Sequence, residues 1–297
     1  MSTNSPETDH LLDVIVRFHD PERIEELGRC VFSLVGQTYR PLHAHIVLQR
    51  FAEAQEAMVA TALAPFFAVS DPPSLTVHNY RAAEPADARS ALINMGLAAA
   101  RGRYGAFLDF DDALYPEAYE LLVDRLRKSG ARIAFGGIVV KRVRAYPHAP
   151  YVLAKERPFA GRTVLDLFRD NFCPIHSFVF DRRRIPAEDL RFEEALVRAE
   201  DYDFLLRVCA GGPSDFGAVD RVIGDYYWRT DASNTVLVEG AARADDARRR
   251  PWAASAEFLE RRPRETIVAP EVQLAAGLAR PEPGLTIRGL LERLEGA

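Results

Sequence analysis

Apolar positions along the chain fall into short runs that alternate with stripes at helical spacing. Asp13 to Phe18 is a β-rich run, and Pro21 to Val35 then carries Ile24, Leu27, Val31, Leu34 and Val35 on one helical face before Gly36. His43 to Leu48 reads as a second strand, Ala52 to Ala64 as a second helix, and Leu75 to Asn79 as a third strand after the Asp71 to Pro73 loop. Ala88 to Ala100 predicts a third helix, Tyr104 to Leu108 a buried strand, and Pro116 to Lys128 the helix after it. Alternation at this spacing implies an α/β fold with a mostly parallel sheet and helices on both faces, binding its ligands beyond the carboxyl ends of the strands. After about residue 130 the alternation loosens. Arg132 to Arg144 predicts one strand or a hairpin, Tyr146 to Gly161 a Pro-rich loop, Val164 to Asp170 a short helix, His176 to Asp181 a strand, and Val219 to Trp228 the last strand.

Two acidic clusters interrupt this pattern. The buried run ends in Asp109-Phe110-Asp111-Asp112 before Pro116 opens a helix. Like charges this close raise one another's pKa, so the cluster needs a cation, hydrogen-bond donors or open water. A hard divalent metal, Mg²⁺ or Mn²⁺, held by carboxylates and a substrate's phosphates would answer that need; a solvated loop with one Asp capping the helix is the other reading. The second cluster, Glu200-Asp201-Tyr202-Asp203, opens a helix whose apolar face carries Phe204, Leu205, Val208 and Cys209. Acids are favoured at helix N-termini, so this cluster serves either a site or the helix itself.

Composition narrows the class. A formal charge of −5 gives no footprint for nucleic acid. Cys30, Cys173 and Cys209 lie far apart, without the spacing of a zinc site or a disulfide framework. The polar leader, residues 1–11, lacks a signal-peptide pattern, and no apolar run reaches ~18 residues, so a cytoplasmic protein without stable membrane insertion is expected. Residues 236–297 form a C-terminal helical extension, in which Ile287, Leu290, Leu291 and Leu294 make a stripe suited to packing on the chain itself or on a second copy, a possible homo-oligomer contact.

Three motifs resemble the family 2 inverting glycosyltransferases of GT-A fold. Val14-Ile15-Val16 through Ser33-Leu34-Val35-Gly36-Gln37-Thr38-Tyr39 is similar to that family's opening. Asn94-Met95-Gly96-Leu97 followed by Gly102-Arg103-Tyr104 and Leu108-Asp109-Phe110-Asp111-Asp112 resembles the segment carrying its DxD signature. Glu200-Asp201-Tyr202-Asp203, with Leu206 and Arg207, resembles its acceptor-side ED motif. The resemblance covers residues 12–235 and divides them into a nucleotide-sugar half, 12–112, and an acceptor half, 113–235.

The resemblance implies a nucleoside diphosphate sugar donor, a glycan or glycolipid acceptor, and Mn²⁺ or Mg²⁺ as cofactor, in surface polysaccharide or glycan assembly. It makes Asp201 the general base and Asp109 and Asp111 the metal anchors. Asp231, after the last strand, is a further candidate metal contact or a turn residue. Arg17, Asp20, Arg89, Asp109 and Asp112 become candidates for the nucleotide sugar, although Arg17 also suits a strand-end ion pair and Arg89 an exposed helix position. Glu200, His176 and Trp228 become candidates for the acceptor, with a hydrogen-bonded His and a buried Trp as the alternatives.

Two departures stand out. Gln49 and Arg50 occupy positions where the family commonly has an acidic residue against the nucleoside, and Asp20 stands at the usual Asn position. Leu108 to Leu114 is also similar to the nucleophile loop of haloacid-dehalogenase-type phosphatases, but Ala113 replaces the usual Thr or Val and the loop lies far from the first strand. A nucleotide-binding module of GT-A fold without turnover is the remaining alternative.

Overall fold

The computed structural model describes residues 6–146, 149–230 and 246–296. The first part of the chain forms β1 (Leu12–Phe18), α1 (Ile24–Val35), β2 (Leu42–Gln49), α2 (Glu53–Leu63), β3 (Ser74–Tyr80), α3 (Arg89–Ala99) and β4 (Tyr104–Asp109). Its strands lie in the order β3-β2-β1-β4, all parallel. The sheet then runs on through β8 (Phe178–Asp181), β6 (Ile133–Ala145), β9 (Ser214–Arg229) and β5 (Ala113–Leu114), with β7 (Pro150–Glu156) paired to β6. In this second part only β6 and β9 are parallel, and β8 enters antiparallel to both β4 and β6.

Parallel strands covered on both faces bury every position, which explains the near-continuous apolar run of β1. Val14, Val16 and Phe18 enter one core with Leu27, Val31 and Leu34 of α1 and with α4 (Ala118–Ser129). Ile15 enters the other, beneath α3, α5 (Val164–Arg169) and α6 (Glu200–Ala210). Gly96 is required where α3 crosses β1, since a Cβ there would lie 2.5 Å from Ile15 Cγ2.

The segment predicted as a Pro-rich loop, 146–161, contains β7. Its Tyr151, Val152 and Leu153 are exposed, so no apolar face marks it; the strand exists because β6 offers an open edge, and Pro150 sits at its first position, where the missing N–H is tolerated. β5 is likewise absent from the sequence reading, being two residues long.

Beyond residue 245 the chain forms α7 (Asp246–Glu265), α8 (Pro270–Ala275) and α9 (Ile287–Glu295). Ile287, Leu290 and Leu291 are buried in the same core as Phe204 and Leu205, so the C-terminal stripe packs on this chain's own α6 side. Fully buried Asp203 fastens the extension to α6 by accepting from Arg207 Nε at 3.0 Å and from Arg262 Nε of α7 at 2.5 Å.

Candidate active site

The acidic loop after β4 is held from below by a polar stripe at i, i+4 spacing that runs along α1 and just past its end. Arg29 donates to the Asp111 carbonyl at 2.8 Å, Ser33 Oγ accepts from Leu114 N at 3.2 Å, and Gln37 Nε2 donates to the Tyr115 carbonyl at 2.8 Å. The Gln-Thr-Tyr segment is therefore a clamp: Gln37 Oε1 also accepts from Tyr119 N, and Thr38 N donates to the Pro116 carbonyl. Such bonds satisfy the backbone of an irregular segment that would otherwise lie unpaired under the sheet edge.

Arg17, at the carboxyl end of β1, joins the two acidic clusters. Its Nε and Nη2 donate to Asp109 Oδ1 and Oδ2 at 2.7 and 3.1 Å, and its Nη1 donates to Glu200 Oε1 at 2.6 Å. Parallel register places Arg17 beside Asp109 on the neighbouring strand, and the α6 N-terminus arrives from above. Ala199, just before Glu200, has φ 53°, a left-handed conformation unusual for a residue with a Cβ and typical of constrained sites. Arg89 forks onto Asp87 (2.9 and 2.8 Å) and lies 4.0 Å from Glu200 Oε2.

The carboxyls differ in protonation because their surroundings differ. Burial pushes Asp109 up, but the Arg17 charge and hydrogen bonds outweigh it and hold the group below the usual carboxylate range. Burial and the Asp109 charge raise Asp111 even though Arg23 donates to its Oδ2 at 2.9 Å. Asp112 is raised further by burial and by both neighbours. Asp201 is pushed up to about 7 by burial and by the adjacent Glu200 charge, against the pull of Arg17 and the Tyr202 amide.

Asp112 is buried, with Oδ1 accepting from Tyr227 N of β9 at 2.9 Å and Oδ2 3.2 Å from His176 Nδ1, at an angle that leaves both atoms without a hydrogen bond. Burial drives His176 down to about 4, so the imidazole is neutral. Its ring lies 6.0 Å from that of Tyr226, which packs edge-on against Trp228 at 6.2 Å. Asp20 caps the turn after β1 by accepting from Glu22 N, and with His19, Arg23, Glu26, Arg29 and Asp111 it lines a cavity of about 630 Å³. Gln49 and Arg50 bond to carbonyls of the β3 to α3 connection, at Ala86 and Ala82 respectively. Asp231 lies outside the described residues.

The donor set suits a hard divalent cation. Asp111 opens on the cavity, Asp112 Oδ2 is a buried oxygen without a hydrogen bond, and both carboxyls are raised by burial first and then by the neighbouring carboxylate charge. Asp109 offers neither oxygen freely while Arg17 holds both.

Sequence reading missed Arg23, Arg29 and Tyr226. Arg23 and Arg29 showed only as charges on a helical segment, although the polar spacing 29, 33, 37 marks a face that must meet something polar. Tyr226 had no signal; its hydroxyl is raised by burial and by the charges of Asp112, Asp111, Asp109 and Asp201, so it stands in the field of both clusters.

Residues 13–185 match the family described as Glycosyl transferase family 2. The chain is 28% identical over 216 residues to the succinoglycan biosynthesis protein ExoO of Rhizobium meliloti (strain 1021), covering 70% of this chain and 59% of that protein. It thus spans about three fifths of that relative's length. Among solved structures, S. aureus TarS 1-349 in complex with UDP-GlcNAc superposes with a TM-score of 0.57 at 15% identity, covering 89% of this chain and 70% of that one. The same protein in complex with UDP gives 0.51, covering 73% and 60%. At this identity the likeness is one of fold, here the GT-A type. No helix among the described residues is long and apolar enough to cross a membrane.

Proposed function

Because the chain belongs to glycosyl transferase family 2, we propose that it moves a sugar from a nucleoside diphosphate sugar to a hydroxyl of a glycan or glycolipid acceptor, with inversion, in cytoplasmic polysaccharide assembly. The observation that carries this reading is the Arg17 bridge, which brings a low-pKa carboxylate on β4 and a carboxyl poised at about 7 on α6 to one place. Inverting transfer needs two tasks met together, charge stabilisation at the leaving group and proton removal at the nucleophile.

In this reading Asp201 accepts the proton of the acceptor hydroxyl as that oxygen attacks the anomeric carbon. A pKa near neutrality suits the role, leaving the base partly ionised yet strong enough to hold the proton. Mn²⁺ or Mg²⁺ bound through Asp111, with Asp109 or Asp112 beside it, would offset the charge of the departing diphosphate. Arg17 keeps Asp109 ionised and, by donating to Glu200, fixes α6 against β1, which sets the position of Asp201. Tyr226 and Trp228, both half-buried, offer an aromatic wall for the acceptor sugar, while His176 is buried behind Tyr226 and backs it from within. Asp20 and Arg89 flank the donor side.

The phosphatase alternative has lost its footing, since the family match runs through Asp109. The TarS complexes carry UDP and UDP-GlcNAc, which makes a uridine donor the first to test. The test is thermal shift of the purified protein with UDP, GDP, CDP and dTDP, each with Mn²⁺ and with EDTA. A metal-dependent rise with one nucleotide is expected; silence with all four would overturn the donor assignment.

A further inference from the structure

At the other end of β1 lies a second polar cluster that transfer chemistry does not use. Asp13 is paired in register with His43 of β2, and His45 follows two residues on, so all three side chains share the α3 face of the sheet. The cluster is about 13 Å along the strand from Arg17. Asp13 Oδ1 is hydrogen-bonded to His45 Nε2 at 3.0 Å and lies 3.8 Å from His43 Nδ1, and the three atoms all fall within 4.8 Å of one another, so an ion entering here would replace that bond. The two imidazoles stack at 4.1 Å.

What distinguishes this cluster from an ordinary hydrogen-bonded core is that each residue's remaining polar atom is already occupied. His43 Nε2 bonds Thr76 Oγ1 at 2.9 Å, and His45 Nδ1 bonds His78 Nε2 at 3.1 Å. Asp13 Oδ2 accepts from Arg101 N at 2.7 Å and Gly102 N at 2.5 Å, an approach that a Cβ on residue 102 would block by meeting Leu11 O at 2.4 Å. One nitrogen of each ring and one carboxylate oxygen are thereby turned to a common point. Outer partners of this kind select the tautomer and orient the ring of a metal-ligating histidine.

We propose that Asp13, His43 and His45 form a binding site for a Zn²⁺-type dication, separate from the acidic loop, that rivets β1 to β2. Tetrahedral ligands at about 2.0–2.1 Å from zinc stand about 3.3 Å apart, against 3.0 and 3.8 Å for the two pairs that include Asp13 Oδ1 and at most 4.8 Å between the two imidazole nitrogens, so small side-chain shifts close the set around an ion. Two imidazoles and one carboxylate leave a fourth position, and His43, a quarter exposed, gives the route by which water and the ion enter. Donor softness separates the two sites: imidazole selects Zn²⁺, Co²⁺ or Ni²⁺, while the all-oxygen loop around Asp111 suits Mg²⁺ or Mn²⁺.

The test uses the full chain, stripped with chelator, dialysed against Zn²⁺ or Co²⁺ and assayed for bound metal, Co²⁺ absorption and melting temperature. One Zn²⁺ per chain is expected in the parent protein and in Asp111→Ala, with a four-coordinate Co²⁺ spectrum in both. His43→Ala, at a partly exposed position, should melt like the metal-free parent, lose the spectrum and bind Zn²⁺ at least 100-fold more weakly. His78→Ala, which removes only an outer partner, should weaken binding about 10- to 100-fold. No retained Zn²⁺ in the parent, or equal retention and equal Zn²⁺-induced stabilisation in His43→Ala, would overturn the site and leave a hydrogen-bonded His-Asp network.

Discussion

Arg17 Nη1 donates to Glu200 Oε1 at 2.6 Å across 183 positions of chain, while the same guanidinium forks onto Asp109. The fork ties the carboxyl end of the central parallel strands to the N-terminus of α6. Breaking it strands two carboxylates, one of them buried. Arg17→Met is expected to cost about 3–5 kcal/mol, the usual consequence of removing one partner of a buried ion pair. Adding Glu200→Gln should recover part of that loss, because the uncompensated buried charge disappears. Urea denaturation of the single and double variants measures both; equal stability of the two would mean that Glu200 is not held through Arg17.

Asp201 sets a pH dependence with a definite sign. Its folded pKa of about 7 stands above the ordinary ~3.9, so between those values the native state binds the extra proton. Stability contributed by this group therefore falls as pH rises from about 4 to 7. Activity runs the opposite way, because the base must be ionised, and kcat/KM should decline below about pH 7. Asp201→Asn should lower transfer at least ~10³-fold. It should also raise the melting temperature at pH 8 while changing little at pH 4. A variant that melts lower at pH 8 would make Asp201 a structural residue.

Asp111 separates metal from nucleotide. Asp111→Asn keeps a hydrogen-bonding group opposite Arg23 but removes the anionic ligand. Nucleoside diphosphate binding in Mn²⁺ should weaken about 10-fold or more by calorimetry, and the difference between Mn²⁺ and EDTA should vanish. Undiminished metal-dependent binding would remove Asp111 from the ligand set.

Asp203 belongs to the same four-residue acidic cluster as Asp201 yet has a different task. It is fully buried between Arg207 and Arg262 and joins α6 to the C-terminal helices. Asp203→Ala should destabilise the fold by about 3–5 kcal/mol. Glycosyl transfer per folded molecule, measured well below the melting temperature, should stay within a few-fold of the parent. Loss of transfer without loss of stability would move Asp203 into the site.

Much of this architecture was legible from periodicity. The apolar runs of β1, β2 and β4 stand out because both faces of a covered parallel sheet are buried, and the α1 and α9 stripes stand out because one face of each is. The acidic clusters were legible as chemistry because several carboxylates in a row require a partner. β7 was not: its apolar residues face solvent, and its existence depends on the free edge of β6.

By itself the sequence determined the alternation of strands and helices as far as β4, the two acidic clusters and their kinship with glycosyl transferase family 2. Only the tertiary structure decided who partners whom. Arg17 meets Asp109 through strand register and Glu200 through the docking of α6; Asp13 meets His43 and His45 because β1 and β2 align with those residues on one face. The physical reason is that periodicity records which face a residue occupies, and burial enforces it locally. Pairing across strands and helices depends on register and packing, which many distant residues set together and no single stretch encodes.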